Sequence, residues 1–312
     1  MALQKGPTDT DTQVLPGREF FADLHVHVDS LRAQELPKEQ HGITIEDAAG
    51  AIALLFLQNR MQIAALTAHN QIPFRQYHEI REQIERILAA HQARSHQEIT
   101  DTLLLLLSTE TTTRVSHEGR RAKFHLAYLY EGKPSCSRKA RNIMPPRKIS
   151  FDPDGTIPQI EEYRARFPGR VIGCHFATSI QGAKNPQDAE FLARRMAESQ
   201  SLSGAELGRP ISWRDPDVRN RLSKTGGIIH RAHATHPDLA PIGASDAHRA
   251  QNIGQAVTTF RGRHPGEIFE AIDSGRTGVL IRTKQRQVVH SLLKVLKSIP
   301  GLDKALKFEI IH

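Results

Sequence analysis

Short motifs that each carry an imidazole or a carboxylate recur through this chain in a fixed order. They read Asp23-Leu24-His25-Val26-His27, Leu66-Thr67-Ala68-His69-Asn70, Ser108-Thr109-Glu110, Phe124-His125-Leu126, Cys174-His175-Phe176 and Ser245-Asp246-Ala247-His248-Arg249, with His41 between the first two. Most of them close a short apolar run that reads as a strand. Strand ends that deliver metal-ligating side chains to one place are how a barrel builds a metal site, so the pattern constrains the fold as much as the chemistry.

The intervening sequence alternates strand and helix, which argues for a parallel sheet wrapped by helices. Strands are expected at Phe20–Leu24, Ile63–Thr67, Leu103–Leu107 (ending at Glu110), Lys123–Tyr130, Arg170–Cys174, Gly204–Leu207, Ala240–Ala244 and Gly278–Ile281. Helices are expected at Thr44–Gln62, Tyr77–Ala93, Ile157–Phe167, Pro186–Ser199, Pro216–Ser223, Pro265–Ser274 and Val288–Ile299. The polar stretch 1–18 reads as a flexible tail and 19–312 as a single barrel domain. Lys307–His312 looks like another strand opening, which leaves room for a longer chain.

His25 and His27 are two apart, so an extended strand points both to one face. Asp246 and His248 repeat that spacing near the other end. Glu110 closes a leucine-rich strand, where a lone charge is costly unless it meets a cation, and its two oxygens can bridge two ions. Asp23 is a possible outer carboxylate behind the histidine pair. His230, His233 and His236 lie in an expected surface loop before Pro237 and are read as surface residues; His78, His91, His96 and His117 are read as exposed.

In their order and spacing these motifs resemble the polymerase and histidinol phosphatase (PHP) superfamily, from about Phe20 to Arg282. The stretch from Asn252-Ile253-Gly254 to Gly275-Arg276-Thr277 is similar to the family's closing segment. The resemblance implies a distorted (β/α)7 barrel of PHP type holding two to three divalent ions (Mn, Zn or Fe) at the strand C-termini. Carried across by motif, His25, His27, Glu110 and Asp246 surround one ion; Glu110, His125 and His175 hold a second; His69 and His248 hold a third. The remaining ligand of the third site is His41, with Asp29 and Glu35 as alternatives. Ala68 departs from the family, which usually has Asp before that histidine.

The implied chemistry is phosphoester hydrolysis by a metal-activated water, with Asp246, His248 or His175 protonating the leaving group. Formal charge is +8 with 17 histidines uncounted, and the pI is about 9.6. This favours anionic substrates such as nucleotides, oligonucleotides or nucleic-acid ends. Arg249 follows the last ligand motif and is placed to meet a phosphate. Lys139, Arg141 and Arg147 belong to six Lys or Arg between Lys133 and Lys148 that form a possible rim. Aromatic residues are only 5%, so no stacking platform for long single strands is evident. A nuclease module working with an ATPase or nucleic-acid-processing partner, a histidinol-phosphatase-like phosphomonoesterase and a non-catalytic scaffold are the competing readings. Neither a signal peptide nor a membrane span is visible, and two cysteines (Cys136, Cys174) in unlike contexts suit a reducing cytoplasm.

Overall fold

A computed structural model describes residues 17–30, 49, 52–53, 55–56, 59–95, 103–132, 144–176, 180–208, 218–249, 252–283 and 306–310. Its strands are β1 (Arg18–His27), β2 (Ile63–His69), β3 (Leu104–His117), β4 (Arg120–Tyr130), β5 (Lys148–Ser150), β6 (Gly169–Gly173), β7 (Gly204–Gly208), β8 (Ala240–Gly243), β9 (Ala256–Gly262), β10 (Gly278–Thr283) and β11 (Leu306–Ile310). The helices are α1 (Phe74–Ser95), α2 (Pro158–Arg166), α3 (Pro186–Glu198), α4 (Val218–Ala232) and the short α5 (Ile268–Asp273). The expected helix over Val288–Ile299 lies outside the described residues, as does most of the 1–18 tail.

All eleven strands join one sheet, in the order β11-β10-β9-β1-β2-β3-β4-β6-β7-β8, with β5 alongside β3. β1, β2 and β3 are parallel, as are β6, β7 and β8. Just past β8, Ala247 bridges Val26 of β1 in parallel; His27 N donates to Ala247 O at 3.1 Å, and Ala247 N to His25 O at 3.4 Å. The path from β1 to β8 thereby returns on itself as a nearly closed, distorted barrel. β9, β10 and β11 extend the sheet outward from β1.

One departure from strand–helix alternation shapes the site. β4 runs antiparallel to both β3 and β6, because β3 and β4 are joined by a two-residue hairpin, Glu118-Gly119. Both turn residues have positive φ (48° and 75°), the backbone that primed turns demand and that glycine adopts without strain. β3 therefore does not end at Glu110. It continues through Thr111, Thr112, Thr113 and Val115, a β-branched run suited to extended backbone.

The packing follows the apolar periodicity of the helices. Ile80 and Ile84 of α1, Leu192 and Met196 of α3, and Ile228 and Ile229 of α4 are buried in one cluster with strand residues such as Leu66, Leu107 and Val171. Ala49, Ile52 and Phe56, from the expected helix over Thr44–Gln62, join the same cluster. A second cluster links Phe20, Ala22 and Leu24 of β1 with Ala240 and Ile242 of β8, Phe260 of β9, and Ile268 and Ile272 of α5. Among the described residues no helix is long and apolar enough to cross a membrane.

Candidate metal centre

Six motifs, borne on strands or just beyond their ends, converge on one point of this barrel. His25 and His27 stand on β1, both fully buried, with their Nε2 atoms 2.8 Å apart. Glu110 of β3 lies between them and three further rings. Its Oε2 is 3.0 Å from His27 Nε2, 3.4 Å from His69 Nε2 and 3.6 Å from His25 Nε2. Its Oε1 is 2.5 Å from His125 Nδ1 and 3.7 Å from His175 Nε2. His125 reaches the centre because β4 is reversed: Glu110 pairs with Ala127, two residues along from His125 on the same face.

Asp246 closes the far side. Its Oδ1 is 3.3 Å from His27 Nε2, and its Oδ2 is 3.2 Å from His175 Nε2. His248 Nδ1 lies 3.5 Å from Asp246 Oδ1 and 2.9 Å from the Asp246 carbonyl. The side chains of His69 and His248 are 43% and 38% exposed, so the centre opens to solvent along that edge. Asn70, His175 and Asp246 all adopt positive φ (52°, 39° and 47°). Such strained backbone persists where the surroundings over-determine it, which concentrates it at functional sites.

Three carboxylates complete the surroundings, with different roles. Glu206 of β7, which the sequence reading did not single out, is buried behind His25. Its Oε1 is 2.7 Å from His25 Nδ1, and its Oε2 accepts the His175 backbone N–H at 2.6 Å. Asp29 faces His69 Nδ1 at 3.3 Å and His27 Nδ1 at 3.7 Å. Of the three residues considered for the last ligand of the third site it is the one described here; His41 and Glu35 lie outside the described residues. Asp23 is not an outer partner of the imidazoles. Its oxygens accept the backbone N–H groups of Ser245 at 2.9 Å and Gly254 at 3.0 Å, tying β1 to the loop that carries Asp246. Burial raises its pKa to about 6 against those hydrogen bonds.

The donor set fits metal binding. Ligand atoms of His25, His27 and Glu110, of His25, His175 and Asp246, of Glu110, His125 and His175, and of His27, His69 and His248 each lie within 4.8 Å of one another. Imidazole with carboxylate is the set that suits Zn, Mn or Fe. Cys174 also groups with His25 and Glu206, but burial pushes its thiol well above the ordinary range and keeps it protonated at neutral pH.

Electrostatics match that reading. Burial opposes ionisation of Glu110 and Asp246, yet hydrogen bonds from the surrounding histidines hold both well below the carboxylate range. Burial likewise disfavours charge on His25 and His27. The Glu206 carboxylate and the Glu110 hydrogen bond outweigh it at His25, which is raised well above its ordinary value. Asp246, Asp29 and Glu110 outweigh it at His27, which rises to about 9. Without ions the pair shares at least one extra proton at pH 7, one Nε2 donating to the other across 2.8 Å, whereas a ligating imidazole must be neutral. Ion binding is therefore expected to release protons, and affinity to climb with pH up to about 9 before levelling. Calorimetry of Zn(II) or Mn(II) binding at pH 7, in buffers of different ionisation enthalpy, should register release of at least about one proton per chain. Binding with no proton release and no pH dependence would contradict this charge assignment.

Residues 231–277 match the family model described as PHP-associated (PHP_C). This is consistent with a PHP-superfamily protein. The matched segment contains the Ser245-Asp246-Ala247-His248 motif and the closing segment through Thr277, the region that supplies the far wall of the centre. No curated protein matches the chain.

The other residues named from sequence fall as follows. Arg249 is exposed next to His248, and Arg147 is exposed just before β5; Lys139 and Arg141 lie outside the described residues. His230, expected in a loop, belongs to α4 and is exposed. His236 is buried rather than at the surface, its Nδ1 3.1 Å from Ala197 O, and His233 Nε2 is 3.1 Å from Leu239 O. These two rings fasten the end of α4 to its neighbours and stay apart from the centre. His117, expected exposed, is half-buried and stacks on Phe191.

Proposed function

We propose that the chain is a metal-dependent phosphoesterase acting on nucleotides, oligonucleotides or nucleic-acid ends. The observation that carries this is Glu110. One oxygen faces His27 and His69, and the other faces His125 and His175. A carboxylate so placed would serve two neighbouring sets of ligand groups, as a centre that stabilises both the attacking and leaving oxygens of an in-line displacement would require. Divalent ions, if held by these residues, would supply Lewis acidity, lowering the pKa of water and drawing charge from phosphate oxygens.

The chain's own groups supply the rest. Asp246, held ionised, suits a ligand or proton acceptor rather than a resting acid. His248 stands at the open edge, where its ring can exchange protons with bulk water, and burial lowers its pKa. His175, between Glu110 and Asp246, is the more enclosed proton carrier. Arg249, exposed and next in sequence to His248, is assigned to meet an incoming phosphate.

Hydrolysis of bis(p-nitrophenyl) phosphate and p-nitrophenyl phosphate with Mn(II), compared among wild type, His25→Ala and Asp246→Ala, tests the reading. Diester hydrolysis lost in both variants is the expected result. Inactive wild-type protein binding less than one ion per chain would leave a scaffold instead.

A further inference from the structure

Beyond Glu110, β3 carries the metal centre's face outward as a strip of alternating residues. Glu110, Thr112 and Arg114 share that face, while Thr111, Thr113 and Val115 are buried on the other. On β4, His125 and Lys123 share it, with Ala122, Phe124 and Leu126 buried behind. On β5, Lys148 is exposed and Ile149 buried. The register sets these residues in rows: Thr112 opposite His125, then Arg114 flanked by Lys123 on one side and Lys148 on the other. Arg121, exposed on the same face, stands one row further out opposite Ser116.

Three cations side by side on adjacent strands repel one another, and like charges directly opposite destabilise a sheet. None of the three has an ion-pair partner among the described residues. Some exposed arginines elsewhere are paired at short range, as in Arg75–Glu79, Arg81–Glu85, Arg263–Glu267 and Arg276–Glu270. The segment joining β4 to β5, residues 133–143, adds Lys133, Arg138, Lys139 and Arg141 to the sequence and contains no Asp or Glu.

We infer that Arg114, Lys123 and Lys148 form a binding track for the phosphates of a single-stranded oligonucleotide whose end enters the metal centre. The inference rests on the phosphoesterase reading and narrows its substrate. Four residues of strand separate Glu110 from Arg114, roughly 14 Å along the backbone at about 3.4 Å per residue. A ligand with one phosphate in the centre does not span that distance. A strand does, and at a stacked rise of about 3.4 Å the row meets phosphates about three or four nucleotides from the one being cleaved. Among the described residues the row lacks aromatic neighbours on its exposed face, so the contact is to backbone charge and carries no base preference.

The test is equilibrium binding of a fluorescently labelled, phosphorothioate-linked 12-mer to the full chain, with a parallel assay of bis(p-nitrophenyl) phosphate. The variant is the triple substitution Arg114→Ala, Lys123→Ala and Lys148→Ala, all at exposed positions. It is expected to weaken 12-mer binding about 10-fold or more and to reduce the slope of log K against log salt by about 2, since each phosphate contact contributes about 0.7 for single strands. Diester hydrolysis and bound metal should stay at wild-type levels. Equal 12-mer binding by wild type and variant, or no binding by wild type, would overturn the track. Displacement of the 12-mer by heparin or polyglutamate at matched charge concentration would overturn the assignment to nucleic acid. Loss of the small-diester activity from wild type alone would strike the catalytic reading and leave the binding result standing.

Discussion

Glu110→Gln is expected to remove at least one bound ion per chain and to cut diester hydrolysis by at least about 10²-fold, the scale seen when a single group stabilising transition-state charge is lost. Glutamine preserves size but offers one ligating oxygen, so it cannot bridge. Its amide NH2 would also be driven toward ring nitrogens that now lie 2.5 to 3.7 Å from the carboxylate. A second effect concerns the ion-free protein. There Glu110 balances the positive charge shared by the His25–His27 pair, and taking away one partner of a buried charge cluster costs about 3–5 kcal/mol. Because the folded carboxyl is held below its ordinary 4.5, its contribution is complete above that pH and is lost as pH falls through the folded value. The stability gap between wild type and variant should therefore be wide at pH 7 and narrow below 4.5. Metal analysis, steady-state kinetics and denaturant unfolding in chelator at several pH values measure all three. A variant that retains its ions and turnover would remove Glu110 from the centre of the mechanism.

Much of this centre was legible because the physics of strands is periodic. Two histidines separated by one residue must share a face if the segment is extended, and β1 runs through both. A glutamate at the end of a leucine run had to find compensation, and it did. The same argument applied to Gly204-Ala205-Glu206-Leu207-Gly208 would have flagged Glu206, a lone carboxylate in a short strand that also has no solvent to face. It was passed over because no neighbouring histidine marked it; its partners, His25 and His175, are distant in sequence and meet it only through barrel closure. The reversed β4 was also written in the sequence, as Glu118-Gly119 between alternating segments. Reading Glu110 as a strand end concealed it, since a ligand in the middle of a strand leaves no punctuation. His236 shows the opposite limit: nothing in His-Pro announces a ring that caps a carbonyl of another helix. Asp29 was named only as an alternative to His41, for the related reason that its ring partners, His27 and His69, are supplied by two different strands.

Glu206 leads to the other large effect. Its two oxygens act on two metal-site residues at once: Oε1 meets His25 Nδ1, and Oε2 holds the backbone N–H of His175, whose φ of 39° is otherwise unfavourable. A carboxylate at Nδ1 requires the proton there, which leaves the Nε2 lone pair aimed at the side where His27, Glu110 and Asp246 converge. Glutamine cannot do both. If its oxygen keeps the His175 N–H, its NH2 faces Nδ1, and the ring must carry its proton on Nε2, the wrong tautomer for ligation. Glu206→Gln is therefore expected to fold and yet bind ions about 10–100-fold more weakly, the usual cost of losing an outer partner of a ligating histidine. Glu206→Ala should add instability, because it leaves a buried ring N–H and a buried backbone N–H without acceptors, at about 1–3 kcal/mol each. Competition titration against a chromophoric chelator separates the two outcomes, and Co(II) spectra report whether His25 still ligates. Wild-type affinity in the glutamine variant would show that Glu206 only fills space behind His25. Weakened affinity without loss of folding would establish that the tautomer is set from β7, on the opposite side of the ring from the ions.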